Sequence, residues 1–178
     1  MSDPTSVQER AARIKLLLMD CDGVLTDGSL MLLEGGDEQK SFNVRDGHGL
    51  VLFHRAGLRS GIISGRTARV VEWRTKDLGI EFVRQGSHNK ISDFDSLLAE
   101  AGVSADETAF VGDDVTDIPL MKRCQLAVAV ADAVPETRAA AHYVTQALGG
   151  HGAIRETVEL ILKAQGHWPE LMKRYLND

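Results

Sequence analysis

Apolar and polar positions alternate along the chain in blocks that read as strand, helix, strand, helix. Ser6 and Glu9 form a capping box that opens a short first helix, with the residues before it expected to be loose. Ile14–Met19 is a nearly continuous apolar run, the pattern of a strand buried on both faces. Leu30–Leu33 and Gln39–Val44 flank Glu34-Gly35-Gly36-Asp37, which predicts a β-hairpin over about residues 29–44. Gly49–Ala56 reads as helix, Arg59–Ile63 as strand, and Thr67–Leu78 as a helix ended by Gly79. Glu81–Arg84 is the next strand and Asn89–Ala101 a helix ended by Gly102. Ala109–Val111 then reads as strand, Val115–Arg123 as helix, Leu126–Val130 as strand and Pro135–Ala141 as helix. Tyr143–Thr145 closes the strand series, and Ala153–Gln165 is a long helix before a polar tail over about residues 166–178.

This alternation predicts an α/β fold: an open, Rossmann-like, mostly parallel sheet with helices on both faces, plus the hairpin and no separate cap domain. A chain of 178 residues fits one domain spanning 1–178. Hydrophobic residues make up 43% and charged residues 26%, so a disordered or fibrous chain is excluded. No apolar run approaches the ~20 residues of a membrane span, and no signal peptide is visible, so a soluble, cytoplasmic protein is expected. The net charge of −6 argues against nucleic acid and anionic membranes as partners. Two cysteines, Cys21 and Cys124, do not make a disulfide framework, and Cys21 reads as a small buried filler. No Walker-type phosphate loop or dinucleotide fingerprint is present.

In such a sheet, ligands bind beyond the carboxyl ends of the strands. The residues there are Asp20 and Asp22, Ser64 and Arg66, and Asp113 and Asp114. Two carboxylates ~5 Å apart at an effective dielectric of ~20 repel by about 3 kcal/mol, so the cluster either holds protons or binds a hard cation. Oxygen-only ligands favour Mg²⁺ over zinc or copper. Carboxylates with magnesium, and with a Ser and a Lys nearby, suit phosphoryl transfer. Taken singly, each Asp reads equally well as a turn former or helix cap.

Asp20-Cys21-Asp22-Gly23-Val24 resembles the first motif of the haloacid dehalogenase superfamily. Ile62-Ile63-Ser64-Gly65-Arg66 resembles the second, Lys90 the third, and Gly112-Asp113-Asp114-Val115-Thr116-Asp117 the fourth. Ser41–Gly49, Val128–Ala133 and Gly149–Glu156 narrow the resemblance to the phosphatase family acting on 3-deoxy-D-manno-octulosonate 8-phosphate in lipopolysaccharide precursor synthesis. The family is similar to phosphatases of nine-carbon sialic-acid-type 9-phosphates, which leaves that substrate open. Cys21 stands where the family has Val or Thr.

The resemblance implies Asp20 as nucleophile, forming an aspartyl phosphate, and Asp22 as acid–base group. It implies Mg²⁺ held by Asp20, Asp113 and the carbonyl of Asp22, with Asp114 and Asp117 in support. Ser64, Gly65 and Lys90 would hold the phosphoryl group. Arg66 and Arg45 would reach the acidic sugar phosphate, as would Arg155 and the loop Gly149–Gly152, in the same or an adjacent site. Arg45 and Asp46 are also open to reading as an ion pair that steadies the hairpin. A non-catalytic scaffold of the same fold and a receiver-type signalling domain are the rivals from other classes.

Ser64 follows Asp20 by 44 positions and Lys90 follows Ser64 by 26, too few in either gap for an inserted domain of ~50 residues. The expected cover is therefore a neighbouring subunit. The resemblance implies a homotetramer with its hairpins at the centre.

Overall fold

The computed structural model describes residues 6–176, so the expectation of a loose start over residues 1–5 lies outside it. A six-stranded sheet runs in the order β5-β4-β1-β6-β7-β8. Its strands are β1 (Leu16–Met19), β4 (Arg59–Ile63), β5 (Phe82–Arg84), β6 (Thr108–Gly112), β7 (Leu126–Ala129) and β8 (Tyr143–Val144). Every pairing in it is parallel. The central strand β1 has Leu16, Leu17, Leu18 and Met19 fully buried, which is why that stretch is apolar without alternation.

The chain runs from β1 out to β4 and β5, then returns to the other side of β1 for β6, β7 and β8. The order reverses between β1 and β6, and parallel connections are right-handed. Helices α2 (Val44–Arg55) and α3 (Arg69–Leu78) therefore lie on one face, and α4 (Lys90–Ala101), α5 (Ile118–Met121) and α6 (Pro135–Ala140) on the other. Helix α7 (Ala153–Ala164) packs along α2 and α1 (Val7–Ala11). Its Ile154, Val158, Ile161 and Leu162, spaced at helical period, are all fully buried. The capping box at Ser6–Glu9 is formed, and a second one, Ser104–Glu107, opens the 3₁₀ turn Ala105–Glu107.

Four elements differ from the sequence reading. The hairpin ladder is two residues long on each side, β2 (Met31–Leu32) and β3 (Glu38–Gln39). Helix α2 begins at Val44, not Gly49, because the Asn43 side chain accepts the backbone N–H groups of Arg45 and Asp46 and starts the helix there. Val115–Arg123 divides into a 3₁₀ turn, Val115–Asp117, and the short α5. The polar tail contains a helix, α8 (Trp168–Leu176), whose Trp168, Leu171 and Met172 lean on the core.

Candidate active site

Asp20 extends β1 by one residue, its backbone N–H donating to the Val111 carbonyl at 3.0 Å. The chain then turns sharply, with the N–H groups of Leu25 and Thr26 both donating to the Cys21 carbonyl. Gly23 makes this turn at φ 83°, and a Cβ there would lie 2.1 Å from Asp113 Oδ2. Glycine is thus required both for the backbone conformation and for the approach of Asp113. The Cys21 side chain is buried, as expected of a filler, and burial pushes its thiol up to about 12.

Three strand-end loops bring their polar groups together. Asp20 Oδ1 accepts the Cys21 N–H at 2.6 Å, and Oδ2 accepts from Lys90 Nζ at 2.6 Å. Lys90 is the first residue of α4, and its Nζ also donates to Asp117 Oδ1 at 2.7 Å. Asp117 is fully buried, and its Oδ2 accepts the backbone N–H of Asp113 at 3.0 Å. Asp114 instead caps the 3₁₀ turn through the Val115 N–H. Asp20, Asp113 and Asp117 each offer a carboxylate oxygen, all within 4.8 Å of one another.

The electrostatics follow from this crowding. Burial first, then the Asp117 charge, push Asp20 up to about 6 in spite of Lys90. Burial, then Asp117, Asp20 and Asp114, push Asp113 up to about 7. Burial alone would lower the Lys90 ammonium, but Asp117 and Asp20 outweigh it and raise it, so Lys90 stays charged. One buried cation facing three carboxylates leaves net negative charge. An oxygen-ligated divalent cation fits that donor set. Asp113 is its most available ligand, because its carboxylate accepts no hydrogen bond from the described residues, whereas both oxygens of Asp20 and both of Asp117 are already engaged.

A consequence can be measured on metal-free protein. The folded chain holds a proton at Asp113 that the unfolded chain releases between pH 3.8 and about 7, so this group makes stability fall as pH rises through that window. Asp113→Asn removes its share. The stability of the variant relative to the parent is expected to increase steadily across the window in urea titrations under EDTA. A flat difference would contradict the crowding.

The cleft over this cluster has a volume of about 590 Å³. Asp20, Asp22, Ser64, Gly65, Arg66, Lys90, Asp113 and Asp114 line it, as do Ser87, His88 and Asn89. Ser64 is buried at the end of β4 and accepts the Arg66 N–H. Arg45 and Arg155 do not line this cleft within the single chain. Arg45 is solvent-exposed on the first turn of α2. Arg155 is held by Glu159 at 2.7 Å and lies over the Trp168 ring at 5.5 Å.

Arg45 and Asp46 form no ion pair. Asp46 is fully buried and accepts the N–H groups of Gly152 and Arg155, which joins the starts of α2 and α7. The Gly149–Gly152 loop has a structural part within the chain. It packs on the backbone of the Asp20 turn, with the Gly150 N–H donating to the Val24 carbonyl at 2.9 Å.

Residues 61–154 match the haloacid dehalogenase-like hydrolase family. A curated relative, the 3-deoxy-D-manno-octulosonate 8-phosphate phosphatase KdsC of Salmonella typhi, is 44% identical over 93% of this chain and 88% of its own length. The chain belongs to the haloacid dehalogenase-like hydrolases. Among solved structures of this hydrolase family, the Yersinia pestis 3-deoxy-D-manno-octulosonate 8-phosphate phosphatase superposes with a TM-score of 0.90 at 43% identity, covering 92% of this chain and 88% of that one. The Moraxella catarrhalis phosphatase of the same name, solved with magnesium, phosphate and KDO, gives 0.92 at 36% identity over 95% of this chain and 97% of that one.

In this haloacid dehalogenase-like hydrolase the hairpin supplies two charged groups that the sequence reading passed over. Lys40 is paired with Asp22, and Glu38 is paired with Arg66. The available signal was their spacing: Glu38 opens β3 and Lys40 directly follows it, two residues on in extended chain, so they share a face. Asp46 carried no signal, since its partners are more than a hundred residues away.

Proposed function

We propose that this chain is a magnesium-dependent phosphatase that hydrolyses 3-deoxy-D-manno-octulosonate 8-phosphate to the free sugar and phosphate, acting in the cytoplasm in lipopolysaccharide precursor synthesis. One observation carries the reading: Asp20, Lys90 and Asp113 converge on one cleft in a chain similar along nearly its whole length to phosphatases of that sugar.

Asp20 attacks phosphorus, and the bond to the sugar oxygen breaks as the bond to the carboxylate forms. Asp22 gives its proton to the departing sugar oxygen. It then takes one from the water that attacks the aspartyl phosphate, so phosphate leaves and Asp20 is restored. Lys90 and the Ser64 hydroxyl hold phosphoryl oxygens, while Asp117 fixes Lys90 from behind. Asp20, Asp113 and the Asp22 carbonyl would hold Mg²⁺, which supplies charge neutralisation on the transferring group. Asp114 supports the loop that carries Asp113.

The cleft is covered, in this reading, by neighbouring copies in a homotetramer. The hairpin leaves Leu30, Met31, Leu32 and Leu33 between 48% and 68% exposed, an apolar row suited to burial between subunits. Among the described residues no helix is long and apolar enough to cross a membrane.

A phosphate-release screen over eight- and nine-carbon acidic sugar phosphates, run with Mg²⁺ and with EDTA, tests the reading. The eight-carbon 8-phosphate is expected to be turned over fastest, with turnover lost in EDTA and a tetrameric mass by light scattering. Preference for a nine-carbon 9-phosphate would overturn the substrate, activity in EDTA the metal, a selective monomer the cover, and no turnover at all the enzyme.

A further inference from the structure

The Asp22 carboxylate lies apart from the carboxylate cluster. Its Oδ1 accepts from Lys40 Nζ, and its Oδ2 accepts no hydrogen bond from the described residues. Lys40 follows β3 directly, and its side chain is 1% exposed. Its Nζ lies 3.2 Å from Glu38 Oε2, while the other Glu38 oxygen accepts from Arg66. Four groups of alternating charge, Asp22, Lys40, Glu38 and Arg66, thus tie the loop after β1 to the loop after β4 by way of the hairpin. Burial alone would lower the Lys40 ammonium, but Asp22 and then Glu38 outweigh it, so Lys40 is charged. Burying an ammonium costs several kcal/mol, and an apolar side chain would anchor a hairpin without that cost. The charge therefore calls for a reason beyond packing.

We propose that Lys40 is the positioning residue for the acid–base carboxylate: it fixes one oxygen of Asp22 on the hairpin and leaves the other facing the cleft, where the bridging oxygen of the substrate sits. This deepens the proposed function and rests on the role given there to Asp22. The hairpin then has a part inside its own active site, in addition to any surface it offers to other copies.

The nature of the leaving group separates this role from a merely structural one. A sugar alkoxide needs a proton as it departs, whereas 4-nitrophenolate leaves without one. First-turnover release of the alcohol from the Mg²⁺-loaded protein, followed by rapid quench, isolates the step. Lys40→Met is expected to slow release from the sugar phosphate by about 100-fold and from 4-nitrophenyl phosphate by less than about threefold, with KM little changed. Asp22→Asn should show the same selectivity, and Lys40→Arg, which keeps the cation, should recover much of the loss. Equal losses on both substrates, or an Arg variant no better than Met, would overturn the proposal. If Lys40→Met does not fold, Lys40→Gln carries the same comparison. A parent protein that turns over neither substrate would instead sink the phosphatase reading.

Discussion

Asp20→Asn is expected to lower turnover by about 10⁴-fold or more while leaving the protein folded and at least as stable as the parent. The activity is lost because an amide oxygen is a poor nucleophile toward phosphorus and the two-step route closes. Stability holds for a separate reason. Burial and the Asp117 charge already push Asp20 up to about 6, so a neutral side chain of the same shape relieves repulsion. Lys90 keeps Asp117 as its partner at 2.7 Å. Steady-state phosphate release and a thermal melt read the two halves. Borohydride reduction of the working parent should convert residue 20 to the corresponding alcohol by trapping the aspartyl phosphate, and the variant should give no such product. Turnover above about one hundredth of the parent would remove Asp20 from the covalent step.

Gly149→Ala is expected to be the most disruptive single methyl in the site's support. Its Cβ would lie 1.8 Å from the Gly23 carbonyl oxygen, a backbone atom that no rotamer change can move aside. Relief requires the Gly149 loop to back away from the turn that carries Asp20 and Asp22. Overpacking of this kind costs about 3 kcal/mol. For a chain of this size that corresponds to a melting temperature lower by roughly 10 °C. Gly65→Ala is the control for stability, since the nearest atom to its added Cβ is 3.8 Å away. Differential scanning calorimetry should separate the two variants clearly. Similar melting temperatures would mean that the two loops do not pack as described.

The parts of this molecule that a linear reading reached are those where one residue or a short pattern decides the outcome. The unbroken apolar run of β1 announced a strand buried on both faces, and Asp20, Asp113 and Ser64 follow from strand ends alone. Asp117 beside Lys90 was within reach, because the loop after β6 is short. What escaped depends on pairings across the sequence. The ion pair of Asp22 with Lys40 spans a hairpin whose depth in the cleft is set by its packing, not by its composition. Asp46 reads locally as an ordinary acid near a helix start, and only the fold shows that α7 begins against it. Arg155 has partners that its place in the sequence does not announce. Its helix turns the guanidinium to Glu159 and Trp168. The tail was passed over because its apolar residues are few, yet Trp168, Leu171 and Met172 are enough to seat a helix.

The central place of β1 also bears on how the molecule comes to life. Leu16 pairs with Arg59 on one side and Thr108 on the other, so the strand that carries the nucleophile acquires its neighbours from chain made much later. Lys90 and Asp117 come into register with Asp20 only through those same distant pairings. During synthesis the first half of the molecule can form helices and a hairpin but cannot gather the reacting groups. Closing such long loops is the slow part of folding a parallel sheet. Recovery of turnover after denaturation therefore marks the joining of β6 to β1, and a chain that lacks this pairing has no partial catalyst to offer.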